Sequence, residues 1–126
     1  MKTFTRRTVL AATGLAVLAL SGGAALAHHG WSWTSGGNIE LIGIVRKARL
    51  GMPHGVLTVD AEGEMWTVEV GQPWRNARAG LTDADLAPGT ELTIIGEPAA
   101  DPSERKLKAE RIMIAGKLYD LYPGRS

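Results

Sequence analysis

From residue 39 onward, apolar and polar residues alternate in short runs bounded by glycine and proline, the period-two pattern of half-buried β-strands. The run 39–50 (IELIGIVRKARL) is β-rich at its start and carries Gly43 as a bulge or bend. A turn follows at 51–55 (GMPHG), punctuated by Pro53 and two glycines. The runs 56–61 (VLTVDA) and 65–70 (MWTVEV) alternate on either side of Gly63 and predict a hairpin. In the second run Met65, Thr67 and Glu69 share one side and Trp66, Val68 and Val70 the other. The period changes at residue 72. Pro73 suits the first position of a short helix, Gly80 suits its stop, and Thr82 caps a second short turn through Asp85. After the Pro88-Gly89 turn, 90–98 reads as a strand, 100–106 as a polar loop, and 107–116 starts as an alternating strand. The expected fold is all-β with one short helix: a small five-stranded OB-like barrel in the order β-β-β-α-β-β. A small open sandwich is the other arrangement compatible with this order.

The N-terminal segment follows a different pattern. A basic stretch (Lys2, Arg6, Arg7) precedes an apolar stretch from Val9 to Leu20 and the small-x-small triplet Ala25-Leu26-Ala27. This is the form of a cleaved signal peptide, and "TRRTVL" resembles a twin-arginine export signal with Val9 where Phe is commoner. The Sec route would use the same parts. The apolar stretch falls short of the roughly 20 residues of a membrane span, so no transmembrane segment is expected in the mature form. The expected organisation is a signal peptide at 1–27, an N-terminal arm at 28–38, the barrel at 39–119 and a C-terminal tail at 120–126. Localisation is then periplasmic or secreted.

Cleavage after Ala27 removes three basic residues and no acidic one, so the formal charge moves from +1 to −2. A slightly acidic exported domain has no electrostatic case for nucleic acid. The chain contains no cysteine, which excludes disulfide staples and thiolate metal ligands. Ser32, Ser35 and Ser103 lack a nucleophile-elbow context, and the acidic residues form no catalytic pair on sequence grounds. No catalytic residue is expected and the chain reads as a non-enzyme.

Several landmarks together resemble a family of small exported bacterial proteins of unknown function. They are "AHHGW" at 27–31, "PHG" at 53–55, "WTVEVGQP" at 66–73, "RNARAGL" at 75–81, "LAPGTELTIIGEP" at 86–98 and "AERIMI" at 109–114. In that family a histidine pair follows the cleavage site, the first hairpin carries Asn-Pro-His, and a strand ends in Trp-x-x-Glu. Here Met52 stands in place of the Asn, and Gly55 follows His54 where a larger residue is usual. The resemblance implies an OB-like exported domain and supplies no reaction.

All three histidines, His28, His29 and His54, are candidate metal ligands. An N-terminal His28 would chelate through its α-amine and Nδ1, and a third nitrogen from His54 or His29 would complete a planar, histidine-brace set that favours Cu(II). Zinc fits less well, because three nitrogens without a thiolate make a poor closed structural site. The bland reading is a solvated terminus and a turn histidine that caps the backbone. Met52 is a soft ligand for Cu(I) or a packing residue. Trp31 and Trp33 would pin the N-terminal arm, Trp66 belongs in the core, and Trp74 in the core or at its rim. The leading expectation is a periplasmic copper carrier, chaperone or buffer with a periplasmic or membrane partner protein. The rivals are a metal-free OB-like scaffold for a peptide, glycan or protein, and a copper oxidase or mono-oxygenase.

Overall fold

A computed structural model describes residues 30–125. The chain divides into two compact units, Met1–Ser32 and Trp33–Ser126, and within the first only the turn at 30–32 is among the described residues. The second unit contains six strands: β1 (Ile39–Arg49), β2 (Val56–Ala61), β3 (Glu64–Glu69), β4 (Glu91–Pro98), β5 (Lys106–Ile114) and β6 (Lys117–Asp120). Helix α1 (Pro73–Ala79) and a 3₁₀ turn (Ala84–Leu86) lie between β3 and β4.

The neighbours run β3-β2-β1-β4-β5-β6, and β3 also pairs with β5, which closes the first five strands into a barrel. That closing pair is parallel, with Thr67 opposite Lys106, Val68 opposite Leu107 and Glu69 opposite Lys108. Every other pair is antiparallel. The expected five-stranded order with one helix is the order observed. Closure leaves none of the five barrel strands with an open edge.

Inward-facing residues from all five strands meet in one core, including Val45, Leu57, Val59, Val68, Ile94, Leu107 and Ile112, all fully buried. Leu81 and Leu86 close it from the β3–β4 connection. At the β4–β5 irregularity, a Cβ on Gly96 would collide with the Lys108 carbonyl, so the two backbones approach only because the residue is glycine. Helix α1 starts with Pro73 and ends at Gly80 in the left-handed conformation, as the sequence signals require. Asp85 accepts hydrogen bonds from the Thr82 amide at 2.8 Å and its hydroxyl at 2.9 Å, which makes the expected cap.

Three expectations need correction. The alternating strand that starts at 107 runs to Ile114 as β5, but it is not the last: the chain reverses at Ala115-Gly116, both at positive φ, and returns as β6, which was not expected. The segment expected to be a tail from residue 120 is part of the body: Asp120 ends β6, Leu121 is fully buried, and the Leu121 amide donates to the Glu110 carbonyl at 3.0 Å. Trp66 is half-buried against the core, with Arg105 stacked beyond it.

Candidate functional site

His54 lies just before β2, and its position is set by backbone bonds that extend the β2–β3 ladder. The Gly55 amide donates to the Gly71 carbonyl, and the Val70 amide donates to the Gly55 carbonyl, both at 2.9 Å. Gly55 suits this packing because a Cβ there would meet Val70 at 2.5 Å and Leu50 at 2.8 Å. Asn76 of α1, itself buried, holds the same corner by accepting from the Gly71 amide and donating to its carbonyl.

This ladder sets His54 beside Glu69, with Nε2 3.2 Å from Oε2, while the imidazole keeps one-third of its surface exposed. The other carboxylate oxygen of Glu69 accepts from Lys108 Nζ at 2.5 Å. The parallel β3–β5 register places Glu69 directly opposite Lys108, so barrel closure itself makes the pair. Both side chains are nearly fully buried. The C-terminal segment contributes to their cover: the Tyr122 ring lies 5.8 Å from Lys108 Nζ, and the Arg75 guanidinium is sandwiched between Tyr122 and Trp74 at 4.2 and 4.5 Å. Arg75 also donates to the Leu121 carbonyl at 3.2 Å, which fixes that segment to α1.

A second buried polar group sits further along the same outer surface. Glu97 accepts from the Thr34 hydroxyl at 2.7 Å and the Gly36 amide at 3.1 Å on one oxygen, and from Arg125 at 2.6 Å on the other. Glu110, almost wholly buried, faces Arg125 Nε at 3.5 Å. Burial works against the Glu97 charge, but the hydrogen bonds from Thr34 and Arg125, the Arg125 charge and the Gly36 amide outweigh it and hold the carboxyl below its ordinary value.

Of the three histidines expected to bind metal, the structure places His54, whereas His28 and His29 lie outside the described residues. Among the described residues no three His, Asp or Glu side chains come together in a way that would hold a metal ion. His54 Nε2 faces a carboxylate, and Nδ1 has no protein partner among the described residues. Met52 is strongly exposed, which argues against a packing role. Trp33 does pin its stretch of chain: Lys106 Nζ lies 4.1 Å over its ring and its carbonyl accepts from the Ala100 amide. Trp74 is exposed at the rim. The sequence pattern puts Glu69 on the polar side of its strand, without its burial there, and gives Lys108 and Tyr122 no role. The signal that could have found Glu69 is the Trp-x-x-Glu strand end itself.

The closed barrel, its parallel β3–β5 seam and the helix between β3 and β4 define an OB-fold protein. Two solved structures share the fold. A chain of the S. pombe Stn1–Ten1 complex aligns with TM-score 0.51 and 20% identity over 64% of this chain and 59% of that one. The ZRD-deleted mutant of TiaS in complex with agmatine aligns with TM-score 0.50 and 14% identity over 67% of this chain and 26% of that one. This chain therefore spans less than two thirds of either of these chains. No curated protein matches the sequence. The chain belongs to the family of unknown function DUF6152, whose model matches residues 15–108. No helix among the described residues is long and apolar enough to cross a membrane.

Proposed function

We propose that the protein is an exported OB-barrel module that binds Cu(II) through a cleavage-generated His28 terminus, using its amine and ring nitrogen, with His54 and His29 as the further nitrogen donors. The observation that carries this reading is the His54–Glu69 contact. A metal-binding histidine characteristically gives its second ring nitrogen to a carboxylate, which sets the tautomer and raises ligand basicity. Glu69 supplies that carboxylate at Nε2 and leaves Nδ1 as the donor. Lys108 holds Glu69 from the other side, so the imidazole is oriented by a buried, braced group. Bound copper would be carried, delivered or buffered, and the planar nitrogen set favours it over zinc.

The test is calorimetric titration of Cu(II) into residues 28–126, beside the same protein with one extra residue before His28. Tight one-to-one binding that falls by orders of magnitude in the extended form supports the terminal amine site. Equal, weak binding in both rejects it.

A further inference from the structure

The strand register lines up Ile42, Thr93, Met113 and Leu118 as successive cross-strand partners on the outer face of β1, β4, β5 and β6. The three apolar members are exposed, Ile42 at 55%, Met113 at 42% and Leu118 at 49%. Four strands spaced about 4.8 Å apart make this row roughly 14 Å long. The adjacent outward row runs Glu91, Ile44, Asp60 and Met65, and it carries a further exposed methionine at its far end.

Carboxylates gather at one end of the row. Ile42 sits between two shallow depressions, one bordered by Glu40, Glu62 and Glu64 and the other by Asp60, Glu62 and Glu91. Arg46 neutralises Asp60 and Arg105 neutralises Glu64. Glu40, Glu62 and Glu91 have no ion-pair partner among the described residues. The opposite end, at β6, carries Lys117 beside Leu118.

Exposed apolar side chains held in register and rimmed by charge mark an interaction surface. The unpaired carboxylates select its partner. They repel phosphate, so nucleic acid and anionic lipid are disfavoured on this face of an OB barrel. We infer that it docks an amphipathic segment of a partner protein, with apolar side chains laid along Ile42, Met113 and Leu118 and lysine or arginine placed over the Ile42 end.

The experiment is amide NMR titration of the full chain with a synthetic leucine–lysine peptide whose lysines are grouped at one end, beside an analogue with glutamate in place of lysine. Shift changes should map to Ile42, Thr93, Met113 and Leu118. Affinity should fall about tenfold or more between roughly 20 and 300 mM salt. The triple variant Glu40→Gln, Glu62→Gln, Glu91→Gln and the single variant Ile42→Ser should each weaken binding by about tenfold, with unchanged spectra elsewhere showing the fold intact. The glutamate analogue should not bind. Shifts mapping elsewhere, equal binding of both peptides, or self-association of the chain through this row before peptide is added would each overturn the inference.

Discussion

Glu69 contacts Lys108 at 2.5 Å across the seam that closes the barrel, and its second oxygen lies 3.2 Å from His54. One carboxylate therefore neutralises a buried ammonium and orients the single described histidine. Replacing it with Gln removes the carboxylate that contacts buried Lys108, a change that costs about 3–5 kcal/mol when a buried pair is broken. Chemical denaturation of Glu69→Gln should show that loss. If His54 binds copper, the same substitution should also weaken Cu(II) binding about 10–100-fold in calorimetry, the usual effect of losing an outer-shell partner. His54→Ala should weaken copper binding while leaving stability nearly unchanged.

Glu97 makes stability depend on acid. Its folded-state value lies below the ordinary 4.5, so its contribution is fully present above pH 4.5 and disappears as pH falls through the lowered value. Glu97→Gln should therefore be less stable than the native chain at neutral pH, by about 1–3 kcal/mol. The gap should narrow steadily below pH 4.5. Thermal unfolding of both proteins across the acid range measures it, and a gap independent of pH would assign the stability to packing alone.

The two glycines Gly96 and Gly63 should respond very differently to alanine. At Gly96 the new methyl meets the Lys108 backbone, which cannot move without parting β4 from β5. At Gly63 it meets open space and only the left-handed φ of 82° is disfavoured, a cost of about 1–2 kcal/mol. Gly63→Ala should fold with a modestly lower Tm, while Gly96→Ala should lose most of the native population in a circular dichroism melt.

Leu121 tests whether the C-terminal segment is integral. Its side chain is fully buried, so Leu121→Ala should cost about 2–5 kcal/mol in a urea titration, as for a core leucine. A value near zero would mean that the segment merely rests on the surface.

The strands were legible because each is a local pattern: VLTVDA and MWTVEV alternate visibly, and Pro73, Gly80 and the Thr82–Asp85 cap are short-range signals with direct mechanisms. What escaped depends on residues far apart in the chain. Alternation correctly turns Glu69 outward, but only the arrival of β5 and of Tyr122 encloses that outer position. β6 was missed because the first turn position, Ala115, takes a left-handed conformation normally left to Gly or Asn, so Gly116 alone flags the turn. The burial of Leu121 follows from that unseen hairpin. His54 was found as a candidate from its residue type, whereas its carboxylate and the lysine behind it needed the register.

Thr34, near the start of the barrel unit, and Arg125, at its end, hold the two oxygens of Glu97. The ends of the folded unit thus meet at a single side chain, which is the geometry that tolerates rewiring of the polypeptide. A short linker between them would permit circular permutation, with new termini opened at the exposed Glu62-Gly63 turn. The same nearness would let the whole barrel be spliced into a surface loop of a host protein without pulling its ends apart.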